Sequence, residues 1–109
     1  MTKQQLPAAI QAFVDTTNRG DSAWFVATFA PDAYLKDMSR EFHGRDGVES
    51  WNETDNIGRQ ERFEVQSVRA GDAPDEYVVG VTVSGNGYNG PADFAFQLSG
   101  GLISRFVIS

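Results

Sequence analysis

The fold of this chain is decided by one stretch, Phe29 to Asp37, which reads FAPDAYLKD. We expect a short aromatic helix to end at Pro31, because proline cannot continue a helix, and a strand to follow it. Side chains alternate between the two faces of a strand, so Asp37 shares a face with Ala33 and Leu35. The pattern therefore predicts a carboxylate that points toward the core, either as a catalytic base or as half of a buried ion pair.

Two helices are predicted N-terminal to the strand that ends at Asp37. Apolar residues at helical spacing predict the first from Leu6 to Arg19, with Pro7 in its first turn and Gly20 at its end. Asp21 is a suitable N-cap for a second, short helix. The aromatic residues of the second helix are Trp24, Phe25 and Phe29.

A third helix is predicted after the strand. Residues 38–43 are expected to form a loop or a short edge strand, and Gly44 is expected to begin a helix that runs to about Asp55. Only Val48 and Trp51 give this helix an apolar face, because its second half is polar. We therefore expect the third helix to frame the mouth of a cavity and not its depth.

From Gln60 onward the apolar residues recur at every second position, which predicts four more strands. The alternating residues are Phe63, Val65 and Ser67; Tyr77, Val79, Val81 and Val83; Ala92, Phe94 and Phe96; and Ile103, Arg105 and Val107. The Asn86–Gly87 pair predicts a two-residue type I′ turn that aligns the apolar residues of its two strands on one face, and Gly100–Gly101 predicts another turn. The whole pattern predicts an α+β fold, in which three N-terminal helices cover one face of a curved antiparallel sheet.

Composition limits the classes of function. The 109 residues, 40% of them hydrophobic and 12% aromatic, predict a single globular domain over residues 1–109. A net charge of −6 provides no basic surface for nucleic acid. The chain has no cysteine and only one histidine, so we expect no thiolate or histidine-rich metal site. A polar start and the lack of a long apolar run predict a cytoplasmic protein without membrane contact.

Residues 85–90 spell GxGxxG, which is the pattern of a dinucleotide-binding loop. Such a loop begins a helix and is followed about 20 residues later by an acidic residue that holds the ribose. Here Pro91 and an alternating strand follow, and no acidic residue occurs after Asp93. The pattern is therefore interpreted as a hairpin connection.

Four motifs, taken in order, resemble those of a known superfamily. They lie at the first helix junction, at the start of the predicted strand, at the start of the third helix and in the last strand: Phe13–Asp21, Phe29–Ala33, Gly44–Val48 and Gly101–Phe106. Together they resemble the nuclear-transport-factor-2-like superfamily, especially its SnoaL-like and ketosteroid-isomerase-like members, over essentially the whole chain. The resemblance implies a cone-like sheet that encloses a pocket with the helices, and homodimers formed through the outer sheet face.

The resemblance also implies a role for Asp37. In ketosteroid isomerases the matching carboxylate is the general base, while a tyrosine and a protonated aspartic acid hold the oxyanion. In this chain Phe13 stands at the tyrosine position and Ala92 at the position of the second acid. Loss of one such donor slows catalysis about 100- to 1000-fold. The base is therefore retained without its oxyanion partners, which argues against that particular isomerisation.

These observations predict a protein that binds a small apolar organic molecule in the pocket. As an enzyme it would be a cofactor-independent isomerase, cyclase or dehydratase with Asp37 as general base, helped by Tyr34, Asn52 or Arg105. The alternative is a non-catalytic ligand-binding or dimerisation module in which Asp37 is paired to Arg105. The residues expected to line the pocket are Phe13, Thr17, Trp24, Tyr34, Leu35, Trp51, Asn52, Phe63, Tyr77, Val79, Val81, Phe94, Phe96 and Arg105.

Overall fold

A computed structural model describes residues 6–109 of the chain. The polar first five residues, on which the expectation of no secretory leader partly depends, lie outside the described residues. In the described range the helices are α1 (Ala8–Arg19), α2 (Ser22–Ala27) and α3 (Gly44–Asp55), and a 3-10 turn, Ile57–Arg59, follows α3. The strands are β1 (Phe29–Asp37), β2 (Arg40–His43), β3 (Arg62–Ala70), β4 (Glu76–Ser84), β5 (Gly90–Ser99) and β6 (Leu102–Ile108). The predicted α+β class is confirmed.

The strands form one curved sheet in the order β2-β1-β6-β5-β4-β3. Residues 38–43, expected to be a loop or an edge strand, contain β2, which pairs with β1 at one edge. The other pairs are antiparallel except β1 and β6, which are parallel. The four strands after Gln60 are antiparallel to one another as predicted, and only the parallel pairing of β1 with β6 departs from the expected antiparallel sheet. The chain between β1 and β6 includes β2, α3 and the strands β3–β5, and this long connection lets the two strands run in the same direction.

The boundary between α1 and α2 follows the sequence signals. Gly20 ends α1 with a φ of 71°, a left-handed conformation that favours glycine. Asp21 then caps α2, since its side chain accepts a hydrogen bond from the Trp24 N–H at 3.2 Å. At its other end α1 begins at Ala8, with Pro7 as the N-cap residue and not in the first turn. No helix of residues 6–109 combines the length and the apolar character needed to cross a membrane.

The short helix α2 ends earlier than expected. It stops at Ala27, and Phe29 already belongs to β1, so the prediction that Pro31 ends this helix is wrong. The switch occurs at Thr28, whose carbonyl accepts a hydrogen bond from the Ile103 N–H at 2.9 Å. This bond to β6 draws the chain into the sheet before the proline is reached.

The two predicted hairpin turns differ in outcome. Gly100–Gly101 has φ angles of 58° and 79°, the left-handed values that a two-residue turn requires. Asn86–Gly87 has no positive φ, so the prediction of a type I′ turn there is wrong, although the register of β4 against β5 is as expected. Residues 85–89 form a wider loop, because the Asn89 side chain bonds to both the N–H and the carbonyl of Gly85.

A β-bulge changes which residues of β6 face inward. The pairing of β5 with β6 shifts between Gln97 and Leu98, and a bulge of this kind breaks the simple alternation of side chains. Ile103 and Phe106 are buried as a result, whereas Arg105 is exposed. The expectation that Arg105 shares the inner face with Ile103 is therefore wrong.

The core is organised around one aromatic ring. Phe13, on the inner face of α1, is fully buried. Six phenylalanine rings have centroids between 4.9 and 6.1 Å from that of Phe13, namely Phe25, Phe29, Phe63, Phe94, Phe96 and Phe106. These rings come from α2, β1, β3, β5 and β6, so one side chain of α1 connects most of the fold.

Replacing Phe13 by alanine should destabilise the protein strongly. The change removes the ring at the centre of the cluster and leaves an internal void, which typically costs about 3–5 kcal/mol. The free energy of unfolding, measured by urea denaturation, reports this loss. Trp24→Ala is the matched control, because Trp24 is 65% exposed and its removal should cost less than about 1 kcal/mol. Equal losses for the two variants would contradict the central role of Phe13.

Candidate functional site

A cavity of about 520 Å³ opens beside the phenylalanine core. It lies where the last residues of β1, β4 and β6 meet the second half of α3 and the first residues of β3 and β5. Its apolar wall is formed by Trp51, Phe63, Val83, Ala92, Phe94 and Ile108. Pockets for organic ligands usually have volumes of about 300–1,000 Å³, so this cavity can hold a molecule of several fused rings.

Polar side chains come mainly from the end of α3 and the segment that follows it. They are Asp37, Thr54, Asp55, Asn56, Arg59, Glu61 and, at the end of the chain, Ser109. Met38 and Tyr88 also line the cavity, and because they are 68% and 57% exposed, they mark its mouth. Over residues 6–109, no group of three or more His, Cys, Asp or Glu side chains is arranged to hold a metal ion.

Asp37 faces the cavity from the end of β1. Its side chain is 18% exposed, and the alternation that buries Ala33 and Leu35 turns it to the same face. The oxygen Oδ2 accepts hydrogen bonds from Trp51 Nε1 at 2.9 Å and from Arg40 Nη2 at 2.8 Å. Within the described part of the chain both bonds to this carboxylate go to Oδ2, which leaves Oδ1 for a bound molecule.

Arg40 joins two carboxylates at the cavity wall. It lies on β2, directly opposite Asp37 in the pairing with β1. Its guanidinium also donates to both oxygens of Asp55, with distances of 3.1 and 2.9 Å. The hydrogen bond with Asp55 is the largest cause of the raised pKa of Arg40, which keeps the guanidinium charged. Asp37 is thus held in place by β2 and, through Arg40, by the end of α3.

Asp55 is ionised in spite of its partial burial. Burial opposes ionisation of this carboxyl most strongly, but hydrogen bonds from Arg40 and Thr54 favour the charged form. The charges of Arg40 and Arg59 act in the same direction, so the pKa of Asp55 is lowered overall. The ion pair between Arg40 and Asp55 therefore persists throughout the neutral pH range.

Asp37 does not pair with Arg105, so the alternative that joined these two residues in an ion pair is wrong. Arg105 lies on the outer face of the sheet, where its guanidinium stacks over the ring of Tyr34 at 4.6 Å from the ring centroid. The Tyr34 hydroxyl donates to Glu41 at 3.0 Å. Desolvation, together with this hydrogen bond and the charge of Glu41, raises the pKa of Tyr34, and the charge of Arg105 only partly offsets it. Neither proposed helper on this face reaches the cavity.

Four of the predicted site residues lie together. Asp37, Trp51, Phe63 and Phe94 line the same cavity. The rings around Phe13 fill the interior beneath α1, so the open space begins only beyond them. The predicted pocket residues that are instead packed within the core are Phe13, Leu35, Val79, Val81 and Phe96.

The remaining predicted pocket residues lie behind or away from the cavity wall. Thr17 and Asn52 are buried, and each accepts a hydrogen bond from the Asn56 side chain, at 3.0 and 3.2 Å. Asn52 therefore positions a wall residue and does not itself line the cavity. Tyr77 is half-buried against the core, and Trp24 points to solvent from the short helix α2.

Glu61 is a buried acidic residue that the sequence analysis did not single out. It lines the cavity and is 3% exposed. Its Oε1 accepts a hydrogen bond from the Gly87 N–H at 2.7 Å, while Oε2 is buried without a partner among residues 6–109. The sequence did indicate its position, because Glu61 precedes Phe63 by two positions and so continues the inward-facing alternation of β3.

The segment before β3 holds the β4–β5 loop against the cavity. The Arg59 carbonyl accepts a hydrogen bond from the Asn86 N–H at 2.9 Å, and the Gln60 side chain accepts one from the Asn86 amide at 3.1 Å. With the bond between Glu61 and Gly87, these contacts fix one side of the cavity. This wall is built from two segments that are distant in the sequence.

The comparisons with known proteins agree on the type of domain. A family model described as a SnoaL-like domain matches residues 10–106. Among curated proteins no sequence matches the chain. A protein of Sinorhizobium meliloti, provisionally described as a polyketide cyclase, is 24% identical, with a TM-score of 0.86 and 95% of each chain covered.

Two other solved structures are more distant in sequence. An NTF2-like protein from Cytophaga hutchinsonii is 11% identical, with a TM-score of 0.80, and the match covers 100% of this chain and 93% of that one. A protein from Mycobacterium tuberculosis in complex with estradiol-17beta-hemisuccinate is 16% identical, with a TM-score of 0.82 and coverage of 95% and 93%. At these identities the likeness shows a shared fold.

Removing the charge of Asp55 should destabilise the protein at neutral pH, where the carboxyl is ionised, and should have little effect at acid pH, where it is protonated. Its folded pKa is lowered, so its stabilising effect is present above the unfolded value of about 3.9 and is lost as the pH falls through the folded pKa. Asp55→Asn should cost at most about 1 kcal/mol near neutral pH, because Arg40 is half exposed.

The measurement is the free energy of unfolding of wild type and Asp55→Asn from about pH 2.5 to 7, where the difference should shrink toward zero at the acid end. Asp32→Asn is the control, since Asp32 is an exposed aspartate of β1. A difference for Asp55→Asn that is the same at every pH would contradict the assignment.

Proposed function

The chain belongs to the SnoaL-like domain family, and we propose that it binds an apolar organic molecule, such as a steroid- or polyketide-like ring compound, with Asp37 as the polar anchor. The observation that carries this proposal is the cavity of about 520 Å³ with its wall of aromatic and branched aliphatic side chains. Burial of a ring system against such a wall is favourable in proportion to the apolar area removed from water. The free oxygen of Asp37 then accepts a hydrogen bond from the ligand.

The rival interpretation, a dimerisation module without a ligand, predicts a different interior. It requires aromatic side chains that fill the pocket completely and a carboxylate neutralised by Arg105. The open cavity and the outward position of Arg105 weigh against both requirements. The related fold from Mycobacterium tuberculosis, which was solved with an estradiol derivative, supports a ring compound as the ligand. Homodimerisation through the outer sheet face remains part of the proposal and is compatible with ligand binding.

A second candidate function is proton transfer with Asp37 as the general base. The specific observation in its favour is that Arg40 and Trp51 fix Oδ2 while Oδ1 is left for the substrate. A base in a fixed orientation can remove a proton from carbon and return it elsewhere, as isomerisation, aldol cyclisation and dehydration require, without a cofactor. Phe13 and Ala92 supply no donor to an oxyanion, so a reaction of this kind would be slower than in ketosteroid isomerases.

Ala92→Phe should weaken binding of a neutral ring compound by occupying part of the cavity from β5. The expected loss of affinity for 2-methoxynaphthalene, measured by isothermal titration calorimetry, is more than about 10-fold, because overpacked apolar sites reject ligand volume. Ala70→Phe, at the exposed end of β3, is the matched control and should leave binding unchanged. Unchanged affinity in the Ala92 variant would place binding outside this cavity.

Asp37→Asn should remove base catalysis while the fold is kept. A suitable test reaction is the exchange of α hydrogens of 2-tetralone for deuterium in heavy water, followed by NMR. Asp37 accepts the proton from carbon and a deuteron is returned, so the asparagine variant should be slower by about 100- to 10,000-fold. Asp32→Asn is again the control. Equal exchange with and without the wild-type protein would exclude the catalytic candidate and leave the binding proposal standing.

A further inference from the structure

The cavity contains a second group of polar residues, which lies beside the start of β3 and not beside Asp37 on β1. Glu61 and Asn56 both line the cavity and are 3% and 1% exposed. They lie beside the start of β3, and three strands of the sheet separate β3 from β1, which carries Asp37. The ligand can therefore be held at two separate places in the cavity wall.

Both residues of this second group have an acceptor atom without a donor. Asn56 Oδ1 and Glu61 Oε2 are buried and have no hydrogen-bond partner among residues 6–109. The other atoms of these side chains are occupied, since Asn56 Nδ2 donates to Thr17 and Asn52, and Glu61 Oε1 accepts from Gly87. Buried polar atoms in folded proteins almost always have a partner, because an unpaired one has lost its bonds to water. A molecule bound in the cavity that both residues line can supply the missing donor.

We propose that Glu61 and Asn56 form a subsite for a hydrogen-bond donor of the ligand, so that the ligand is a ring compound carrying a hydroxyl or amine group. This inference rests on the proposed function and specifies which ligands it includes. A carbonyl or ether oxygen offers only lone pairs and leaves both acceptors unpaired. A hydroxyl or amine hydrogen satisfies at least one of them.

The charges of the cavity wall exclude an acidic ligand at this subsite. Three carboxylates line the cavity, from Asp37, Asp55 and Glu61, against one guanidinium, that of Arg59. Arg59 donates through Nε to the Thr54 carbonyl at 3.0 Å and is exposed to water. Arg40, the cation that adjoins the wall, is already bonded to two of the carboxylates. A carboxylated ligand would therefore be repelled more strongly than it is attracted.

Three naphthalene derivatives test the subsite in the wild-type protein. They share one ring system and differ in a single substituent: 2-naphthol donates a hydrogen bond, 2-methoxynaphthalene only accepts one, and 2-naphthoate is an anion. By isothermal titration calorimetry 2-naphthol should bind at least about 10-fold more tightly than either of the others, since they leave a buried acceptor unpaired. Tightest binding of 2-naphthoate would instead identify Arg59 as the recognition group and overturn the proposal.

Glu61→Gln reverses the polarity of the subsite with little change in shape. The amide oxygen of the glutamine can keep the bond from the Gly87 N–H, and its NH₂ group then presents a donor in place of Oε2. The ratio of the affinities for 2-naphthol and 2-methoxynaphthalene should fall by about 10-fold or more. Glu53→Gln, at an exposed position of α3, should leave this ratio unchanged. Hydrogen exchange at the Gly87 amide shows whether the loop anchor is retained in the variant.

The outcomes separate this inference from the proposed function. Similar affinities for 2-naphthol and 2-methoxynaphthalene, both weakened by Ala92→Phe, would refute the donor subsite and leave the proposed function intact. Absence of binding for all three compounds would refute both. If Glu61→Gln does not fold, the comparison of the three compounds on the wild-type protein decides the question by itself.

Discussion

The packing of Phe13 is the interaction on which the other parts of the structure depend. Its ring lies between α1 and the sheet and contacts aromatic side chains of five other elements. A close-packed aromatic cluster is rigid, so it fixes how the helices pack on the sheet and how much interior space is left. The cavity is the part of the interior that this cluster does not fill. At Phe13, where the resemblance to ketosteroid isomerases implies a tyrosine donor, this chain has the centre of its hydrophobic core.

The polar residues of the site are consequently confined to the other end of the interior. There Asp37 is fixed by an indole and a guanidinium, and Arg40 connects it to Asp55 at the end of α3. A carboxylate held in this manner has a defined orientation, and little entropy is lost when a ligand donor approaches its free oxygen. Strand β2, a short edge strand, thus orients Asp37 through one arginine.

Much of the fold and part of the site could be predicted from alternation and turn residues. Alternation placed Asp37 on the inner face of β1, and the same rule, applied to β3, would have placed Glu61 on the inner face of the sheet. Arg105 could not be assigned correctly, because the bulge at Gln97–Leu98 changes the inward side of β6 and leaves no mark in the apolar pattern. The partnership of Arg40 with two carboxylates depends on how β2 and the end of α3 meet in space, which local sequence does not determine.

The buried carboxylate of Glu61 also explains the glycines that imitate a nucleotide-binding pattern. A Cβ atom at Gly85 would lie 2.6 Å from Glu61 Oε1 and 2.8 Å from its Cα, and one at Gly87 would lie 2.9 Å from Oε1. The close contact with the Glu61 backbone leaves no room for a side chain at Gly85, whereas at Gly87 the end of the Glu61 side chain would have to move. The loop therefore has glycines where a carboxyl group occupies the space beside it. Positions 61, 85 and 87 are therefore expected to vary together among related sequences, and a relative with a larger residue in the loop would have a smaller or less polar residue in place of the glutamate.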